Sequence, residues 1–302
     1  MEALNRLILV VLFFLAACES GSRQDEGPRY SDRSADVSTP LYRLAVHPLH
    51  NPEKLILAYQ PLIEYLNRRV SGVRFELEAS RDYQAFEAKF RQRDPEFLLP
   101  NPWQTLEAIK VGYSVIAMAG DPEDFKGLFI VRKESGIRDV ADLAGKVVSY
   151  PSPTALAACI MPQYFLQNHG VDINKDIDNR YVGSQESSIM HAYLRLADAA
   201  VTWPPPWRSF QRDHPREAGE LKVIWETPPL INNSVMARAD IAPAVRERVR
   251  QALLSLGLDS EGRKILAGLE TARFHAADDN AYQPARDFIR RFEKEVRPVE
   301  KK

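Results

Sequence analysis

Gly127-Leu128-Phe129-Ile130-Val131-Arg132-Lys133-Glu134-Ser135-Gly136-Ile137 leads through Asp142-Leu143-Ala144-Gly145-Lys146 into Val147-Val148-Ser149-Tyr150. Leu128 to Val131 is apolar without alternation, as in a strand buried on both faces. Ser135-Gly136 breaks it. Val147 to Tyr150 reads as another strand, stopped by Pro151. A buried strand in mid-chain, with an α/β pattern on either side, divides the sequence into two blocks.

Upstream, Tyr42 to Val46 alternates as a strand, and Pro52 to Arg69 places Leu55, Tyr59, Leu62 and Leu66 on one helical face. Val73 to Leu77, Phe97 to Leu99 and Tyr113 to Met118 read as strands, with helices from Asp82 and from Trp103 between them. This β-α-β order predicts an α/β fold with a parallel sheet. Downstream, Thr154 to His169 reads as a helix perturbed by Pro162. Ser187 to Leu196 is amphipathic, and Asp198 to Thr202 is a strand running into a loop, Trp203-Pro204-Pro205-Pro206-Trp207. Leu221 to Trp225 and Ser234 to Ala237 are strands. Helices follow over Val245 to Leu256 and Tyr282 to Val296.

At the start of the chain, Arg6 precedes an apolar run from Leu7 to Ala17, shorter than the ~20 residues that cross a bilayer. It has the length of a secretory h-region. The run ends in Leu15-Ala16-Ala17-Cys18, which resembles the lipobox of bacterial lipoproteins. That implies a signal peptide over 1–17, acylation at Cys18, and attachment of the mature chain to a membrane on the periplasmic side. Residues 18–40 are polar and rich in Ser, Arg, Asp and Gly, the composition of a disordered tether. With Cys18 acylated, Cys159 is left without a disulfide partner. The 40 basic and 41 acidic residues give a net charge of −1. No basic stripe suits a nucleic acid, and no enzyme motif is found.

The stretch from Gly127 to Lys146 resembles the crossover between lobes in type II periplasmic binding proteins. More narrowly, the chain resembles the phosphonate, phosphite and phosphate-binding proteins of ABC importers. The matching pieces are Asn51-Pro52 to Leu66, Asp82-Tyr83, Met161-Pro162 to Leu166, Gly183-Ser184-Gln185-Glu186 and Val223 to Pro228. The resemblance implies two hinged α/β lobes with a ligand cleft between them, residues 41–126 plus 229–302 forming one and 127–228 the other. It also implies a monomer without cofactor or metal that presents a small solute, anionic or otherwise, to an ABC permease. A periplasmic sensor domain of a kinase or cyclase is the alternative partner.

Carried over position by position, Tyr83 matches a tyrosine that reaches the anionic group. The family's Ser-Thr-Ser at the start of the second-lobe helix is replaced by Ala155-Leu156-Ala157, which leaves backbone donors and the hydroxyls of Ser152 and Thr154. A histidine aligns with Gln185, and an acidic residue falls within Asn232-Asn233-Ser234. Each lost charge-assisted hydrogen bond is worth ~1.5–3 kcal/mol, so the expected ligand is not a simple phosphonate. Aromatic and amide groups come in instead: Asn101-Pro102-Trp103 and Trp203 flank the expected cleft and either stack on a planar or cationic ligand or pack the interior. His47 lies where the cleft opens, either touching ligand or as a loop residue. Too few ligands accompany it and His50 for zinc. Glu186 either pairs with a cationic ligand or caps its helix. Cys159 is either a site for a soft oxyanion such as arsenite or a small buried helix residue.

Overall fold

The computed structural model describes residues 39–300. The expected signal peptide, the lipidated Cys18 and nearly all of the tether lie outside the described residues.

Strand β1 (Leu41–Val46) runs into helix α1 (Pro52–Arg69). Asn51 caps α1 by accepting the Lys54 N–H, and Pro52 fills the first turn, where a missing N–H costs nothing. The apolar stripe buries Leu55, Tyr59, Leu62 and Leu66, as its spacing requires. Strand β2 (Arg74–Glu78), α2 (Tyr83–Arg91), β3 (Phe97–Leu99), α3 (Pro102–Lys110) and β4 (Tyr113–Ala119) follow. The chain then leaves this sheet and builds a second from β5 (Leu128–Arg132), β6 (Lys146–Tyr150), β7 (Ile177–Tyr181), β8 (Ala199–Thr202) and β9 (Leu221–Glu226). The connecting helices are α4 (Met161–Asn168), α5 (Gln185–Tyr193), α6 (Pro204–Asp213) and α7 (Pro215–Gly219). It returns as β10 (Ser234–Arg238), α8 (Pro243–Leu254), α9 (Ser260–Gly268), β11 (Phe274–His275) and α10 (Gln283–Glu295).

The first sheet has the order β11-β4-β10-β3-β1-β2 and the second β7-β6-β8-β5-β9. Both are mixed rather than wholly parallel. β1 is parallel to β2 and β3, but β10 inserts antiparallel between β3 and β4. That strand arrives from more than a hundred residues downstream, beyond the reach of a local β-α-β pattern. The two passages between sheets run side by side: Thr227 N–H donates to Gly127 O and Leu230 N–H to Phe125 O, each at 2.9 Å.

The deciding stretch is buried on both faces. Phe129 and Val131 join the large core that spans both sheets, while Leu128 and Ile130 pack into a smaller cluster with Ile189, Trp207 and Phe210. This is the two-residue alternation of a strand with apolar material on either side.

Two local expectations are corrected. The Trp203-to-Trp207 segment is not a loop: α6 starts at Pro204, because N–H groups in a helix's first turn have no intrahelical acceptor and three prolines there forfeit nothing. The helix expected from Thr154 starts only at Leu156, as a π-helical turn over Leu156–Ile160. There Ile160 N–H donates to Ala155 O, and Met161 N–H to Leu156 O. The wide turn directly precedes Pro162, which has no N–H and whose ring would crowd the carbonyl four residues back.

Candidate functional site

The carboxyl ends of β1, β2 and β3 and the amino ends of α2 and α3 face the corresponding ends of the second sheet. Along this seam the side chains predicted for the site make direct contacts between the two halves. Tyr83, at the first position of α2, accepts a hydrogen bond at its Oη from Gln185 Nε2 at 3.0 Å. Gln185 opens α5, and its Oε1 accepts from Thr202 Oγ1 at 2.9 Å. Asn101 caps α3 in a reciprocal capping box with Gln104. Its Nδ2 also crosses the seam to the Thr154 carbonyl, at 3.2 Å. Pro102 fills the first turn of α3, and all of these residues are buried.

Sequence reasoning missed the residue that joins these contacts. Glu87 lies one turn after Tyr83 on the same face of α2, and it is 4% exposed. Its Oε1 accepts from Thr154 Oγ1 at 2.6 Å and from Gln104 Nε2 at 3.1 Å. Desolvation raises its pKa, and the two donated hydrogen bonds pull the other way. The i, i+4 spacing from Tyr83 was the available signal. Thr202 and Gln104 were missed as well.

Of the backbone donors expected at Ala155, Leu156 and Ala157, the first is taken up locally. Thr154 N–H lies 3.3 Å from Ser152 Oγ, and Ala155 N–H donates to the Ser152 carbonyl at 3.2 Å. The segment folds into a tight turn that satisfies itself. Ala155 and Leu156 are buried as the start of the π-helical turn.

Trp203 and Asn233 come together at the other end of the seam. With Tyr59, Asp124 and Glu270 they line an enclosed cavity of about 20 Å³, room for about one water. Trp203 packs on Phe125 with ring centroids 5.4 Å apart. The Asn233 amide is 3% exposed, and its Oδ1 has no hydrogen-bond partner among the described residues. Asn232 is occupied: its Nδ2 donates to Asp121 O and its Oδ1 accepts from Asn233 N–H, both at 2.8 Å.

The other candidates have structural surroundings. Trp103 is buried in the main core. His47 is buried, and its Nδ1 donates to Leu99 O at 2.9 Å. Desolvation lowers its pKa to about 4, so the ring is neutral. Glu186 pairs with His214 Nε2 at 3.3 Å and with Lys54 Nζ at 3.9 Å, while Ser184 is the residue that caps α5. Cys159 is fully buried, and desolvation pushes its thiol up to about 12. A protonated thiol there is a poor nucleophile. Among the described residues no group of three or more His, Cys, Asp or Glu could hold a metal, and no helix is long and apolar enough to cross a membrane.

The model of the family described as "ABC transporter, phosphonate, periplasmic substrate-binding protein" matches residues 44–282. The chain belongs to this family of phosphonate-type periplasmic substrate-binding proteins. Among its relatives, the "probable ABC transporter phosphite binding protein PhnD1" of Prochlorococcus marinus (strain MIT 9301) is 23% identical over 60% of this chain and 65% of its own length. The chain therefore spans just under two thirds of that relative. The phosphonates-binding periplasmic protein of Escherichia coli K12 is 19% identical over 76% of this chain and 70% of its own.

Crystal structures of family members agree in fold. A binding-protein component of an ABC phosphonate transporter from Pseudomonas aeruginosa has a TM-score of 0.77 at 18% identity, over 85% of this chain and 87% of the other. PhnD1 of P. marinus in complex with methylphosphonate has a TM-score of 0.77 at 19% identity, covering 85% and 99%. The two-sheet α/β architecture is thus that of a type II periplasmic binding protein.

Proposed function

We propose that this family member captures a small solute between its two halves and presents it to an ABC permease. The halves are residues 41–126 with 229–302, and residues 127–228, and they swing about the paired passages near Gly127 and Thr227. Ligand contacts come from Tyr83, Asn101, Thr154, Gln185, Trp203 and Asn233, with no catalytic step. The chain acts as a monomer. An N-terminal lipid on Cys18 keeps it beside the membrane partner that reads its closure.

The observation that carries this reading is the Asn233 amide oxygen, buried without a partner among the described residues in a cavity walled by both halves. Leaving such a group dry costs ~1–3 kcal/mol, and a ligand polar group relieves that cost. The solute relatives named for phosphonate and phosphite do not carry over with the fold, because the hydroxyls and histidine expected around an oxyanion are replaced here.

A thermal-shift panel on the full chain tests the reading. A solute at 100 times its dissociation constant adds ~2.7 kcal/mol of stability. Asn233→Ala should abolish the shift given by the best solute. A panel of phosphonates, sulfonates, amines and amino acids that leaves the melting temperature unmoved would sink the proposal.

A further inference from the structure

We propose that Glu87 sets the charge of the solute this protein accepts: its buried carboxylate is a built-in anion on the seam, so the cleft takes neutral or cationic solutes and turns oxyanions away.

The geometry around Glu87 fixes its role as an acceptor. Gln104 Oε1 receives the Asn101 backbone N–H at 3.1 Å, which only an oxygen can do, so Gln104 Nε2 must be the atom facing Glu87. The Thr154 hydroxyl has the Thr154–Ser152 turn on one side and Glu87 Oε1 on the other, and at 2.6 Å it donates to the carboxylate. The hydroxyl and amide donors that an incoming oxyanion would need at this point are therefore already given to a resident one. The backbone N–H groups of Thr154 and Ala155 are given to Ser152.

Glu87 also borders space that solutes can enter. With Gln84, Ser152, Thr154 and Arg297 it lines a cavity of about 730 Å³ where the C-terminal segment crosses the seam.

The cations nearby are already engaged. The guanidinium of Arg91, on the same helix, stays 3.8 Å from Glu87 Oε2 and is shared with Glu300. Arg297 is engaged by Gln163 Oε1 at 2.8 Å and by the Pro153 carbonyl at 3.1 Å. Lys54 is held by Asp213, and Arg208 by Asp124 and Glu270. Tyr83, Gln185, Asn101, Thr202 and the neutral His47 contribute no positive charge. Asp124 and Glu270 line the small cavity beside Trp203 and Asn233. Both are already paired with arginines.

The inference rests on the seam being the solute site, and its test is separate from the test of that reading. Sulfate and methylphosphonate are titrated calorimetrically into the full chain and into Glu87→Gln, which keeps the shape and both hydrogen-bond neighbours but removes the charge. Glu87→Gln should bind these oxyanions at least tenfold more tightly than wild type, and Glu87→Asp, which keeps the charge, should not. Glu87→Met, neutral and of similar length, gives the same comparison if the Gln variant does not fold. Equal affinities for wild type and neutral variants, including no binding by either, would overturn the assignment, as would tighter oxyanion binding by wild type. Failure of the solute-binding reading would show instead as a wild-type chain that answers to no neutral or cationic solute.

Discussion

Along α2 and the first turn of α3 the two halves meet through buried hydrogen bonds, nearly all uncharged. Along α6 they meet through ion pairs open to water. Tyr83, Glu87 and Asn101 reach Gln185 and Thr154 at the first seam. At the second, Arg208 makes a two-pronged pair with Asp124 at 2.9 and 3.1 Å and another with Glu270 at 3.1 Å. Arg212 adds to Glu270, and Lys54 to Asp213. Both seams hold the same halves together, but for different reasons. A buried hydrogen bond works through geometry and the cost of leaving a group unpaired. An exposed ion pair works through a field that water and salt weaken. The first suits recognition, the second an adjustable clasp.

The largest expected effect is on the buried seam. His47 is held neutral, with its pKa lowered from 6.5 to about 4 by desolvation. Its folded pKa lies below the unfolded one, so its share of stability is present above pH 6.5 and is lost as pH falls towards 4. A shift of that size corresponds to ~3 kcal/mol. His50 titrates in the same window, its pKa also lowered to about 4, so His47→Asn should flatten the acid limb of a urea-midpoint profile without abolishing it. Glu87 runs the other way. Its pKa is raised, so stability falls as pH rises through its folded value, and Glu87→Gln should remove that decline. An unchanged profile in both variants would mean that the seam's charges are solvated.

Next in size is Gly127→Ala, at the passage that serves both seams. A Cβ there would stand 2.5 Å from Pro162 Cγ and 2.7 Å from the Ala157 carbonyl. The carbonyl belongs to the π-helical turn and cannot move alone, so overpacking should cost ~1–3 kcal/mol. If chemical denaturation gives no loss, the passage is looser than its contacts indicate.

Tyr83→Phe comes third. It strips the acceptor from Gln185 Nε2 at a site where Tyr83 is 3% exposed, for an expected ~1 kcal/mol. The loss should be the same at low and high salt, and solute affinity should fall by about tenfold. A salt-dependent loss would place this contact with the ionic seam instead.

How far these seams were legible from sequence follows the same division. Period and turn residues exposed the helices from Pro52 and from Asp82, and the buried strand at Leu128 to Val131, because those signals are local. Tyr83 and Gln185 came from motif resemblance and do meet in space. Glu87 escaped because a glutamate on a helix usually faces water; only the fold places Thr154 and Gln104 over it. The insertion of β10 between β3 and β4 escaped for a like reason, its partners being far away in sequence. The three prolines after Trp203 were misread as a loop because proline's cost depends on whether its turn is the first of a helix, which composition alone does not say.

The smallest effect, and the sharpest separation of the two seams, is expected from Arg208→Ala. Arg208 is 39% exposed and Asp124 36%, so their pairing is heavily screened, and its loss should cost below about 1 kcal/mol. Arg208 also bridges the passage residue Asp124 to Glu270 through the Glu270 backbone carbonyl, at 3.2 Å. Removing it should therefore free α6 without disturbing the hydrogen bonds at Tyr83 and Glu87. At ~1 M salt the screening length shrinks to ~3 Å, and wild type should approach the variant in both stability and compactness by small-angle scattering. A gap that persisted at high salt would show that the arginine works through its packed stem rather than its charge. The α6 contact would then be a second rigid seam and not a clasp.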